Sequence, residues 1–178
     1  EKLLENYFQM NLDKGQIDAI SNLGLAHMGD GVFELLCRGW LCAQGYTTVQ
    51  ELHRRTIAMV NAPAQAEFVD KLLPLLNDRE LSWYRRGKNA HVHAVPKAAT
   101  PAQYAKATGL EALFGALFLS GQTERINALF RAVMEGVMYS QRQNLDVLRG
   151  MKVAPDAMLA CGGGGTSPFW RQMMADMF

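Results

Sequence analysis

Apolar residues recur at three- and four-residue intervals along most of the chain, the spacing of helices that bury one face. From about Asp18 to Ala43 the stripe runs through Leu25, Met28, Val32, Leu35 and Leu36, and Gly45 is placed to end it. Thr48 is a good N-cap with Glu51 three residues on, a capping-box pattern that starts a second helix running to about Val60. Asn61 and Pro63 break the chain and start a third, because proline fits a first turn but not a helix interior. That helix spans Ala64 to Leu76, with Pro74 kinking it or ending it early. Asn77 or Asp78 caps a short helix to about Arg86, with Gly87 as its stop. After a loop from about Lys88 to Thr100, Thr100-Pro101 opens a helix to Ser120 that Gly121 terminates. Thr123 to about Gln143 carries Ile126, Leu129, Phe130, Val133 and Met134 on one stripe. No alternating run is long enough for a sheet, so the fold class is all-α.

The character changes after about Gln143. Gly162 to Gly165 has the composition of a flexible linker, and the end, with Phe169, Trp170, Met173, Met174 and Phe178, is apolar. The chain therefore divides into a helical domain, 1–143, and a C-terminal extension, 144–178. With 49% hydrophobic and 20% charged residues, the 178-residue chain has the makings of a folded core and not of a disordered segment. Its apolar stretches are interrupted by Arg38, Gln44 or Gly121, too short to span a membrane, and Glu1 to Met10 lacks the pattern of a signal peptide. Cys37, Cys42 and Cys161 have no metal-site spacing. Cys37 and Cys42 lie in an apolar run and are expected to be buried thiols, which suits a reducing cytoplasm.

The formal charge of +1 hides an uneven distribution. Between Glu80 and Glu111 there is no acidic residue, while Arg85, Arg86, Lys88, Lys97 and Lys106 fall there with His91 and His93. A second acid-free window, between Glu51 and Glu67, carries His53, Arg54 and Arg55. Such concentration of positive charge points to a polyanionic partner. His91 and His93, one residue apart with no Cys, Asp or Glu nearby, make a poor zinc site.

Two carboxylates stand in apolar surroundings. Asp30 lies in Leu25-Ala26-His27-Met28-Gly29-Asp30-Gly31-Val32-Phe33-Glu34-Leu35, and Glu111 in Ala107-Thr108-Gly109-Leu110-Glu111-Ala112-Leu113-Phe114-Gly115-Ala116-Leu117. A carboxylate is costly in such a setting unless it is paired, hydrogen-bonded or bound to a metal, and the residues alone leave these options open. Gly29, Gly31, Gly109 and Gly115 each cost about 1 kcal/mol against alanine within a helix. Close approach of the two helices would compensate, and would bring Asp30 to Glu111. Glu34 with Arg38, four residues on, reads as a structural pair.

The Gly-Asp-Gly-Val-Phe-Glu and Leu-Glu-Ala-Leu-Phe-Gly-Ala-Leu stretches resemble the two signature segments of the ribonuclease III catalytic domain. Arg85-Arg86-Gly87-Lys88-Asn89-Ala90 and Leu52-His53-Arg54-Arg55 resemble its Mini-III branch, a catalytic domain without an appended double-stranded-RNA-binding domain. The resemblance covers roughly residues 20 to 135. It implies that Asp30 and Glu111 are ligands of a catalytic Mg²⁺, with Mn²⁺ able to substitute, in a homodimer that hydrolyses double-stranded RNA to 5′-phosphate and 3′-hydroxyl ends. Larger ribonuclease III enzymes carry further carboxylates. Here the positions four and seven before Asp30 are Ala26 and Leu23, and the position three before Glu111 is Thr108. The ligand shell is trimmed, which leaves water and phosphate oxygens to complete it, as Mg²⁺ permits.

Side chains cannot read the A-form major groove, so duplex recognition should rest on phosphates and 2′-hydroxyls. The candidate contacts are Arg85, Arg86, Lys88, Asn89 and Lys97, with Arg54 and Arg55 as a second strip. Pro63 stands where related Mini-III sequences tend to carry a lysine, which removes one backbone contact. Phe33 and Trp40 are candidates for either the core or a dimer interface. The resemblance further implies maturation of large-subunit (23S) ribosomal RNA precursor in a bacterial-type cytoplasm, with a ribosomal protein or pre-ribosome as a further partner. Two other readings remain at this level: a non-catalytic RNA-binding or ribosome-assembly module, and a helical bundle unrelated to RNA.

Overall fold

A computed structural model describes residues 6–91 and 97–150, with side chains as far as Met134 and those of Asp146 and Arg149, together with Arg171, Gln172 and Ala175. Seven α-helices follow one another: α1 Lys14–Ala19, α2 Asn22–Ala43, α3 Val49–Val60, α4 Ala62–Leu72, α5 Asp78–Lys88, α6 Pro101–Leu119 and α7 Thr123–Gly150. A single 3₁₀ turn, Leu73–Leu75, follows α4, and no strand occurs among the described residues. The all-α expectation holds.

Most boundaries follow from caps. Asn61 accepts from Ala64 N and Thr100 from Gln103 N, with Pro63 and Pro101 in the first turns they open. Pro74 falls in the 3₁₀ turn that ends α4. Gly121, at φ +75°, closes the turn after α6 in the left-handed conformation that glycine tolerates. Three expectations need correction. The helix expected over Asp18–Ala43 is two, because the Ser21 hydroxyl accepts from Gly24 N and starts α2 afresh. Gly87 lies inside α5, which ends at Lys88 with Asn89 as its C-cap. The last helix continues to Gly150, past the expected stop near Gln143.

Helix α6 is the centre of the molecule. It packs against α2, α4, α5 and α7, and Ala107–Leu110, Ala112–Leu117 and Leu119 are all buried. A helix enclosed in this way is apolar all round, which is why it shows no stripe in the sequence. Phe33 of α2 is the aromatic hub beside it. Its ring lies 5.5 Å from Phe114, 6.0 Å from Phe68 and 6.2 Å from Phe130. At 1% exposure Phe33 belongs to the core and not to an interface, while Trp40 packs half-buried against it. Cys37 is buried as expected, and burial, aided by Glu34, pushes its thiol up to about 12. Cys42, on the opposite side of α2, is exposed, contrary to expectation.

An ion pair with a buried carboxylate ties α7 to the body. Arg125 donates to both Glu80 oxygens, at 2.7 and 2.8 Å, and to Leu75 O at 2.7 Å. Glu80 also accepts from Asn77 N in the capping box of α5. The bonds from Arg125, above all, hold the Glu80 carboxyl below its usual range despite burial.

Candidate active site

Helices α2 and α6 meet backbone to backbone. A Cβ on Gly29 would fall on the Glu111 carbonyl oxygen and 2.6 Å from Gly115 N. A Cβ on Gly115 would fall on Leu25 O and 2.9 Å from Gly29 N. No residue but glycine fits either seat, and this contact sets the separation of the helices. Asp30 directly follows Gly29, and Glu111 supplies the carbonyl beneath it, so both acidic residues sit along one seam. Gly109 plays a similar part against α5, where a Cβ would stand 2.5 Å from Tyr84 Cε2, and Gly87 lies over Thr108 O and Ala112. Gly31 is different: nothing lies within 4 Å of its Cβ position. Close packing thus accounts for Gly29, Gly109 and Gly115, but not for Gly31.

Partial burial raises both carboxyls of the seam. Asp30 stands at the open edge and Glu111 is half-buried. Burial raises the Asp30 carboxyl, Glu34 adds to the rise, and the nearby exposed His27 opposes it. Burial raises Glu111 further, to about 7, and the Asp30 charge adds to it. These shifts fix the sign of a pH effect. A carboxyl raised from 4.5 to about 7 on folding stabilises the folded state below 4.5, and that contribution is lost as pH rises to about 7. Metal-free protein is therefore expected to lose stability over that window in urea titrations. Glu111→Gln should remove most of the decline, and an unchanged slope in the variant would place its origin elsewhere.

Gln65 of α4 completes the surroundings of Glu111. It is 1% exposed, and its side-chain amide lies near enough to lower the Glu111 carboxyl. The approach stops short of a hydrogen bond, and Gln65 Nε2 has no partner. Among the described residues no group of three or more His, Cys, Asp or Glu side chains forms a closed metal cage. Two carboxylates from facing helices, one exposed and one half-buried, nevertheless suit Mg²⁺, a hard ion that keeps several waters and takes one or two carboxylates.

The basic residues divide by environment. Arg85, Lys88, Asn89 and Lys97 are exposed, and the three cations form no ion pair among the described residues. Gly87 sets the end of α5 against Thr108, one turn before Glu111 along α6. Arg86 faces inward. It donates to Asn22 Oδ1 at 2.9 Å, to Ile20 O at 2.7 Å and to Asp18 at 3.4 Å, clasping α5 to the α1–α2 joint. Arg55 bonds Glu51 and stacks 3.9 Å over the Tyr46 ring, while Arg54 stays largely exposed and only 3.9 Å from Glu51. Glu34 and Arg38 form the expected structural pair. His91 is exposed, and His93 lies outside the described residues.

The ribonuclease III domain matches residues 23–122, a span that includes both carboxylates and the helices that hold them. The chain belongs to the ribonuclease III family. Relatives named Mini-ribonuclease 3 place it in the Mini-III branch. That from Symbiobacterium thermophilum is 42% identical over 119 residues, 67% of this chain and 92% of the relative. That from Desulfitobacterium hafniense is 43% identical over 111 residues, 62% and 70% respectively. A crystal structure of a Fusobacterium nucleatum protein superposes with a TM-score of 0.61 at 31% identity, covering 68% of this chain and 97% of that one. Within this ribonuclease III fold, sequence reasoning missed Gln65 and the inward turn of Arg86. A signal for Gln65 existed: it shares the buried stripe of α4 with Val69 and Leu72, at i, i+4 and i+7, where a polar residue is out of place.

Proposed function

We propose that this endoribonuclease of the Mini-III branch is divalent-metal-dependent and cuts double-stranded RNA, with Asp30 and Glu111 holding Mg²⁺, or Mn²⁺ in its place. The observation that carries the reading is the seam itself. Two carboxylates from helices far apart in sequence stand along one seam, Asp30 exposed and Glu111 half-buried, and the helix contact that brings them there admits only glycine. A bound divalent ion would offset charge on the phosphate and lower the pKa of water to yield a nucleophile. The chain's own part is to present its two carboxylates together, bind the duplex and fix the scissile phosphate over the seam. Structured precursor of large-subunit (23S) ribosomal RNA is the proposed substrate, the cytoplasm the proposed setting, and the pre-ribosome or one of its proteins a further partner.

Duplex binding is assigned to Arg85, Lys88, Asn89 and Lys97, with Arg54 on the second strip. Arg86 and Arg55 serve mainly to hold that surface in place, since their guanidinium donors are engaged internally. Removing one cation that pairs with a phosphate should flatten the dependence of log affinity on log salt by about one. Arg85→Ala with Lys88→Ala is therefore expected to reduce the slope by about two, and an unchanged slope would move the RNA surface elsewhere.

Two copies are proposed to associate through α2, so that two sites related by symmetry cut the two strands. The apolar groove of about 520 Å³ lined by Met28, Gly31, Val32, Leu35 and Phe118 supports this choice. Leu35 is 55% exposed there, and the absence of a side chain at Gly31, which no intrachain contact explains, leaves the groove open.

The deciding experiment incubates the protein with a long RNA duplex, with Mg²⁺ and with chelator, and maps the ends. Cleavage only with Mg²⁺, leaving 5′-phosphates, is expected. Tight binding without cutting under both conditions would favour a non-catalytic RNA-binding module.

A further inference from the structure

The acidic seam has one buried neighbour whose hydrogen-bonding capacity is unspent. Gln65 is 1% exposed on the inner face of α4, and its Nε2 has no acceptor although its amide lies close enough to the Glu111 carboxylate to lower it. An orphaned buried donor costs the fold free energy, and an apolar residue would satisfy that position better. A glutamine kept there needs a use that the metal-free fold does not provide. The ligand shell suggests which. Ala26 and Leu23 on α2, and Thr108 on α6, supply no further carboxylate on the turns before Asp30 and Glu111. The Thr108 hydroxyl cannot substitute, because it is turned back onto Tyr104 O at 3.0 Å. The buried Gln65 amide, beside Glu111 and unpartnered at Nε2, is placed to fix which carboxylate oxygen faces the ion.

We propose that Gln65 is a positioning residue of the metal centre, donating from Nε2 to the outer oxygen of Glu111 when Glu111 holds a divalent cation and leaving the other oxygen for the ion. This role rests on the metal-centre reading above. A neutral amide suits it: it restrains the carboxylate without adding a third negative charge to a seam already strained by two. Partners of this kind, hydrogen-bonded to a metal ligand, are typically worth about 10- to 100-fold in metal affinity.

The test is Mn²⁺ binding by calorimetry, without RNA, in the parent protein, Gln65→Met and Glu111→Gln. Methionine keeps the shape of glutamine and removes the donor. Gln65→Met is expected to weaken Mn²⁺ binding by about 10- to 100-fold while the metal-free protein melts at the same temperature or higher. Equal Mn²⁺ affinity in Gln65→Met and the parent, with Glu111→Gln unable to bind, would overturn the role of Gln65 and leave the metal centre standing. A lower melting temperature with intact affinity would overturn it too, by making Gln65 structural. If Glu111→Gln binds Mn²⁺ as well as the parent, the metal centre falls and the positioning role with it. Should Gln65→Met not fold, the parent protein still decides: on adding Mg²⁺ the Gln65 side-chain amide protons should shift and exchange more slowly, and an unmoved signal would overturn the proposal.

Discussion

Replacing Asp30 by asparagine, or Glu111 by glutamine, is expected to abolish RNA cleavage while duplex affinity stays within about twofold of the parent, because affinity is assigned to phosphate contacts with the proposed basic surface. Changing an outer partner of a metal ligand costs about 10- to 100-fold, so removing a ligand itself should exceed that. Both substitutions keep volume and shape, and both relieve the seam of a charge it holds at a cost. Glu111→Gln should therefore fold at least as well as the parent at neutral pH, where the native carboxylate ionises against burial and Asp30. Single-turnover cleavage and filter binding on the same preparations separate the two effects. A variant that binds and still cuts at the parent rate would remove that residue from the metal centre.

The largest loss of stability is expected from Gly29→Ala. Alanine normally gains about 1 kcal/mol over glycine within a helix. At Gly29 its methyl would occupy the place of the Glu111 carbonyl oxygen, and backbone cannot swing aside as a side chain can. Overpacking of ordinary core sites costs about 1–3 kcal/mol. With peptide groups on both sides, Gly29→Ala should reach or pass the upper end of that range. Gly39→Ala, on the same helix with nothing within 4 Å, is the control and should stabilise by up to about 1 kcal/mol. Chemical denaturation of the two variants checks the pair. Equal stabilities would mean that α2 and α6 can separate freely, and the seam would lose its structural basis.

Much of this was legible in the sequence, for identifiable reasons. Thr48, Asn61, Asn77 and Thr100 announce helix starts because a short polar side chain can do little else before an apolar run. The juxtaposition of Asp30 and Glu111 was suggested by glycines that propensity alone could not justify. Two kinds of feature were hidden. Gly87 has the form of a helix stop, and only the tertiary position of Thr108 reveals it as a packing seat. Arg86 and Arg85 are adjacent and chemically identical, and the turn of α5 alone decides that one is drawn inward to Asn22 and Ile20 while the other stays in solvent. Charge clustering predicts a basic surface; it does not say which cations are already spoken for.

Helix α6 carries one of the two acidic groups on a segment with almost no surface of its own. In water such a segment would expose apolar side chains on every side, and it has no reason to persist until its neighbours enclose it. Glu111 thus acquires a defined location only in the finished protein. A partly folded chain would hold the same residues without the proposed metal centre.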